Sequence, residues 1–168
     1  PGQVRDVNSH TLAALVLRCG AEPVAFGILP DDPEALFEAA QRAKAATDLI
    51  IITAGSSAST RDNTAEVVRR LGPPGVLVHG LSIKPGKPAI LGVVDGIPVI
   101  GLPGNPVSAL VVAGLLVVPL LRRLGGNNRP GIVATVPARL SVNVPSEAGR
   151  EDYVPARLES SPEGWIAD

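Results

Sequence analysis

The sequence predicts an α/β fold: a three-layer α/β/α domain on a mostly parallel sheet, followed by a smaller β unit. Segments with apolar residues at helical spacing alternate with short β-branched runs through residue 124, the pattern of crossover units. One run, Leu49-Ile50-Ile51-Ile52, is apolar throughout, as a parallel strand buried on both faces must be. After Gly125-Gly126-Asn127-Asn128 the long periodic segments stop, and short alternating stretches separated by Pro and Gly replace them. The division therefore falls between residues 1–126 and 127–168.

The elements follow in order. Ser9 is the expected cap of a first helix carrying Leu12, Leu15, Val16 and Cys19 at helical spacing, with Gly20 ending it. Pro23 to Leu29 reads as a strand. Asp32 caps a second helix, with Pro33 at its first position and Glu34 in its first turn, running to about Ala46. Leu49 to Ile52 is the next strand, and it empties into the small-residue loop Ala54 to Thr60. Asp62 is the expected cap of a third helix that reaches Leu71. Ala89 to Val94 and Ile97 to Ile100 flank Asp95-Gly96, a strong hairpin signal. A helix opening at Pro106 continues to about Leu124. The β unit is expected from Ile132 to Leu140 and Tyr153 to Leu158.

Composition narrows the function. The 168 residues suffice for one buried domain with an appendage, and 45% hydrophobic content describes a folded chain. A net charge of −1 and 2% aromatics lack the basic surface and stacking rings of a nucleic-acid binder. The single cysteine, Cys19, excludes a disulfide scaffold and fits a reducing, cytoplasmic setting. Val107 to Leu121 is apolar but shorter than the ~20 residues of a membrane span and holds Pro119, so it reads as a buried helix. The chain opens Pro1-Gly2-Gln3 and contains no methionine, so a piece of a longer protein is expected.

Two loops carry the clearest chemistry. Lys84-Pro85-Gly86-Lys87-Pro88 presents two ammonium groups on a proline-stiffened backbone, suited to clamping an oxyanion. In Leu102-Pro103-Gly104-Asn105-Pro106-Val107-Ser108 a strand ends and a helix opens, where exposed amides and the helix dipole would favour an anion. Ligands in such sheets bind at the carboxyl ends of strands. The loops after Leu29, Thr53 and Gly101 place Asp31, Ser56, Ser57, Asp62 and the Asn105 loop there. The lysine loop precedes a strand, so its place at that edge needs a further inference. Gly55, Ser56 and Ser57 leave backbone amides free for a phosphate, without the lysine and spacing of a nucleotide P-loop. Asp31 and Asp62 next to an anion imply a divalent ion such as Mg²⁺ between like charges. His10 and His79 lack ligand spacing, and no glycine-framed serine elbow is present.

These motifs are joined by Asp6-Val7-Asn8-Ser9, Asp31-Asp32-Pro33, Ile50-Ile51-Ile52-Thr53 and His79-Gly80. In that order the chain resembles the molybdopterin molybdenumtransferase family, the molybdenum insertases related to the gephyrin E domain. The resemblance covers essentially the whole chain. It makes the first unit a molybdopterin-binding domain, and Gly149-Arg150-Glu151-Asp152-Tyr153 the start of an incomplete C-terminal β-barrel domain.

The resemblance implies Mg²⁺-dependent hydrolysis of adenylylated molybdopterin and insertion of molybdate at the dithiolene. It implies molybdate binding by Lys84, Lys87 and Ser108, with Arg150 near that site. It implies activity roles for Asp31 and Asp62, with Asp62 also a metal ligand, and pterin-phosphate binding by Gly55, Ser56, Ser57, Pro103, Gly104, Asn105 and Pro106. A homodimer, supplied by the adenylyltransferase that makes the substrate, is the implied assembly; no nucleic acid or membrane is implied. Arg61-Asp62-Asn63-Thr64 looks more like the adenylyltransferase branch, so that activity, or a non-catalytic molybdopterin- or molybdate-binding module, stands as the alternative.

Overall fold

A computed structural model describes residues 5–53, 58–127 and 134–168, with backbone only for residues 58–62. Helix α1 (Asn8–Arg18) is followed by α2 (Pro33–Ala46), β1 (Ile50–Thr53), α3 (Ala58–Leu71) and β2 (Pro74–His79). Then come β3 (Ile83–Lys84), β4 (Ile90–Val94), β5 (Ile97–Leu102) and a long helix, α4, from Pro106 to Leu124. The class is α/β, as the sequence predicts. Within the main sheet the order is β1-β5-β4-β2, and only β1 and β5 run parallel. The β4–β5 and β2–β4 pairs are antiparallel, so the described sheet is mixed where a mostly parallel one was expected. For β4 and β5 the physical reason is the tight Asp95-Gly96 turn, because a two-residue connection can only join antiparallel neighbours.

Side chains alternate across this sheet and build a core on each face. On one face Ile100 and Leu102 pack with Leu12 and Val16 of α1 and with Ala109, Val112 and Val117 of α4. On the other, Ile50, Ile52, Val94 and Val99 pack with Ala40 and Ala43 of α2 and Val67 and Val68 of α3. Three layers result. Helix α4 is long and apolar enough by length and composition to cross a membrane. Its buried stripe of Ala109, Ala113, Val117 and Leu121 instead makes it one layer of this fold. Around Ala113–Val117 the helix widens to a π turn, with the Val118 amide donating to the Ala113 carbonyl. Pro119 follows directly and supplies no amide. A helical proline collides with the carbonyl four residues back, and a local widening relieves such a collision.

Helix ends differ from the sequence expectation in two places. At α1 the capping acceptor is Asp6, whose Oδ1 accepts from the Ser9 amide at 3.1 Å. Ser9 itself lies inside the helix. Helix α3 begins at Ala58, so the backbone of Asp62 is already helical and cannot be its cap. Asp32 caps α2 as predicted, with Oδ2 accepting from the Ala35 amide at 2.9 Å.

The strand expected over Pro23 to Leu29 does not form among the described residues. Gly27 adopts φ +78°, which breaks an extended run. No described strand pairs the free side of β1. Phe26 contributes by packing partly against the α2–α3 core. Arg70 ties α2 to α3, donating to both Glu34 oxygens at 2.6 and 2.9 Å and lying 4.2 Å from the Phe37 ring centre.

The second unit is an open three-stranded sheet, with β6 (Ala138–Leu140) beside β9 (Gly164–Ala167) and β9 beside β8 (Leu158–Ser161). Between its strands, β7 (Glu151–Asp152) leaves to pair in parallel with β3. Residues 153–157 are not strand, which corrects the expectation over Tyr153 to Leu158.

Ile50 is 4% exposed on the α2–α3 face. Replacing it with alanine is expected to remove about 2–5 kcal/mol of stability through lost burial and a residual cavity. A fall in the urea midpoint at unchanged m-value measures this.

Candidate functional site

The antiparallel β4–β5 pairing supplies the inference the lysine loop required. Ile90, at the start of β4, lies opposite Gly101 near the end of β5. The segment before β4 therefore emerges at the carboxyl end of β5. Thr53 lies opposite Leu102, so β1 ends at the same edge. Lys84 to Pro88, Pro103 to Pro106 and the exit of β1 thus share one side of the sheet.

Gly86 fixes the lysine turn against α4. A Cβ there would stand 2.5 Å from Val112 Cγ2 and 2.8 Å from Ile83 Cδ1, and the residue has φ +122°. Only glycine satisfies both the space and the backbone. Gly86 is buried while Lys84 and Lys87 on either side are exposed. Ser108 precedes Val112 by four residues and lies on the same helix face. The two ammonium stems therefore flank a point one turn along α4 from the Ser108 hydroxyl.

From the second unit, β7 brings Arg150 to this turn. Lys84 is in register with Asp152, and the Tyr153 amide donates to the Lys84 carbonyl at 2.7 Å. Glu151 donates in turn to the Ser82 carbonyl at 2.9 Å. Arg150 Nε donates to Asp152 Oδ1 at 2.8 Å and Nη1 to Glu147 at 2.7 Å. The hydrogen bond from Arg150 is the main cause holding the Asp152 carboxyl below its ordinary range, and the Lys84 charge acts in the same direction. Lys84 and Arg150 are thereby held in one neighbourhood by backbone pairing plus a carboxylate between them.

The α4 N-terminus differs from the open anion cradle expected. Asn105 Oδ1 accepts from the Val107 and Ser108 amides at 3.1 and 3.2 Å. The Ala109 amide donates to the Asn105 carbonyl at 2.8 Å, and Pro106 has no amide. The helix thus satisfies its own first turn. Ser108 Oγ is only weakly engaged, at 3.4 Å from Asn105 Oδ1, and can turn toward a ligand.

Other expected residues are placed less closely. Asp31 is exposed just before the α2 cap, and no described hydrogen bond or ion pair links it to the lysine or Asn105 loops. Gly55, Ser56 and Ser57 lie outside the described residues, as does the Asp62 side chain. Among the described residues no three His, Cys, Asp or Glu side chains cluster as a metal cage.

Two contributors escaped the sequence reading. Asn8 Nδ2 donates to the Gly104 carbonyl at 3.0 Å from 96 residues away. Asp152 clamps Arg150. A polar residue at the buried start of an apolar helix was the available signal for the first; only pairing with β3 reveals the second.

Gly86→Ala is expected to cost about 1–3 kcal/mol from overpacking, because φ and contact both exclude a Cβ; thermal melts of the two forms compare it. For Asp152, a depressed folded-state pKa means its contribution is present above the ordinary carboxylate pKa. That contribution is lost as pH falls through the lower folded value. Asp152→Asn should therefore flatten stability below about pH 4 and leave the slope between pH 6 and 8 unchanged, read from urea midpoints across pH.

Comparison with known proteins identifies the family. Residues 1–123 match the family described as "Probable molybdopterin binding domain". A molybdopterin molybdenumtransferase of Nostoc is 36% identical over 157 residues, covering 92% of this chain and 36% of the relative. That of Haemophilus influenzae is 34% identical over 152 residues, covering 90% and 37% respectively. The crystal structure of the molybdopterin biosynthesis moea protein from Pyrococcus horikosii superposes with TM-score 0.80 at 38% identity, over 100% of this chain and 40% of that one. The chain thus spans between 36% and 40% of the length of these proteins. Matched over most of its length by sequence and over all of it by fold, the chain belongs to the molybdopterin-binding domain family.

Proposed function

We propose that the full-length protein carrying this chain is a molybdenum insertase, which hydrolyses the phosphoanhydride of adenylylated molybdopterin, releasing AMP, and places molybdate at the dithiolene. The observation that carries the reading is the lysine turn seated on α4 by Gly86 and joined to Arg150 through the β3–β7 pair. Three cations and the Ser108 hydroxyl then serve one ligand. A tetrahedral dianion suits this set: lysines act as point charges indifferent to oxygen geometry, and Arg150, its Nε and Nη1 held by Asp152 and Glu147, adds a fixed positive charge.

In this reading Lys84, Lys87, Ser108 and Arg150 bind the oxyanion. The pterin phosphate lies along Gly55, Ser56 and Ser57 and the Pro103 to Pro106 turn. Asp31 and Asp62 act at the phosphoanhydride, with Asp62 the protein ligand of a Mg²⁺ ion. Asp31 fits that task chemically, being an exposed carboxylate without a described partner. Mg²⁺ commonly takes one or two carboxylates and completes its shell with water and substrate phosphate. When bound, the ion would supply charge neutralisation at the bridging phosphates.

A homodimer is part of the proposal. The outward face of α4 carries Val107, Leu110, Val111, Gly114 and Val118 at helical spacing, with Val107 and Leu110 59% and 40% exposed. Such a stripe offers a second copy an apolar surface to cover. We also assign the enzyme to the cytoplasm, supplied by the adenylyltransferase that makes its substrate.

Full-length protein incubated with adenylylated molybdopterin, Mg²⁺ and molybdate should release AMP and yield active cofactor, and chelation of Mg²⁺ should stop both. Failure to form either product overturns the proposal. ATP-dependent adenylylation of free molybdopterin without molybdate would place the protein in the other branch. Replacing both Lys84 and Lys87 with alanine should weaken molybdate binding by roughly 10- to 100-fold. Calorimetric titration measures this, and unchanged affinity removes the lysine turn from the site.

A further inference from the structure

Asn8 is 8% exposed at the first residue of α1. Its Nδ2 donates to the Gly104 carbonyl at 3.0 Å, while its Oδ1 is buried without a hydrogen-bond partner among the described residues. A buried acceptor left unpaired is unfavourable. Starting the helix does not require Asn8, because Asp6 already accepts from the Ser9 amide. The side chain is therefore poorly explained by local stability. Its only described hydrogen bond reaches the turn between β5 and α4.

We propose that Asn8 is a positioning residue of the oxyanion site, acting by setting the orientation of the Gly104–Asn105 peptide. In a planar trans peptide the carbonyl and the following amide point in opposite directions. Holding the Gly104 oxygen against buried Asn8 turns the Asn105 N–H away from the interior, toward the open side of the loop. This matters because the first-turn amides of α4 are committed to Asn105 itself. Among the described residues the Asn105 amide has no acceptor. Within that set it is a backbone donor of this turn left without an acceptor, and the Gly104 carbonyl dipole is kept from facing an anion. Without Asn8 the peptide can rotate, withdrawing the donor and presenting an acceptor to the ligand.

The inference rests on the oxyanion reading proposed above, and one experiment separates the two. Molybdate is titrated calorimetrically into full-length wild-type protein and Asn8→Leu, a variant of similar shape that removes both the donor and the orphaned acceptor. The Asn105 amide is followed in parallel by ¹⁵N NMR with selectively labelled asparagine. Affinity should fall roughly tenfold while the thermal midpoint stays within about 2 °C or rises. Molybdate should shift the Asn105 amide resonance in the wild type and not in the variant. Should leucine not fit, Asn8→Ala carries the same expectation in affinity and amide shift. Wild-type binding matched by a folded variant with an unaltered amide response overturns the role of Asn8. Absence of molybdate binding by the wild type overturns the oxyanion reading and this inference with it.

Discussion

Antiparallel pairing of β4 with β5 is the constraint on which the rest of the site depends. It follows from the turn at Asp95-Gly96, where φ values of +48° and +88° match the hairpin geometry that suits a right-twisted pair. Lys44 braces the turn, donating to the Leu71 carbonyl at 2.8 Å while its ammonium pairs with Asp95. From that one reversal the chain before β4 arrives beside the end of β5. Two loops separated by a whole hairpin in sequence thus become neighbours. A parallel arrangement would have left the lysines at the far edge of the sheet, about a strand's length from the Pro-Gly-Asn-Pro turn.

The neighbours are then locked by different means. The lysine turn is fixed by exclusion, since at Gly86 any larger residue would strike Val112 and Ile83. The segment with Arg150 is fixed by backbone hydrogen bonds to Ser82 and Lys84. The α4 turn is fixed by its own asparagine cap and by Asn8 from the opposite end of the chain. Rigid, separately supported donors are the arrangement that keeps binding groups from collapsing onto one another when no ligand is present. Asp152 and Glu147 serve the same end electrostatically, offsetting Arg150 next to Lys84.

Much of this was legible in the sequence, because its strongest signals are local. The Asp32 cap, the Asp95-Gly96 hairpin, the strand at Ile50 to Ile52 and the long helix from Pro106 each follow from nearest-neighbour physics, although only Ile50 and Ile52 of that strand are fully buried. Where the reading failed, the deciding partner lay far away. Pro23 to Leu29 has strand composition, yet a strand exists only where an edge pairs it, and Gly27 turns out of the extended region. Ser9 and Asp62 are plausible caps by type, but Asp6 and the earlier start of α3 displaced them. Asn8 and Asp152 leave little local trace for a related reason: Asn8 meets its partner Gly104 96 residues away, and Asp152 reaches Lys84 only through the β3–β7 pair.

The wide turn at Ala113–Val117 has a consequence for the helix as a whole. Beside Val112, its buried residues Ala109, Ala113, Val117 and Leu121 form a stripe that recurs every fourth position. On an ideal helix that spacing would advance about 40° per step and wind the stripe off the sheet. The extra residue in the turn works as a phase correction, resetting the angular count midway. It lets one straight stretch of chain stay docked on the sheet at Leu121 while holding Ser108 and Asn105 at the sheet edge shared with the lysine turn. Deleting a single residue there would rotate the Leu121 end relative to the Asn105 end, leaving one of them out of step with the sheet.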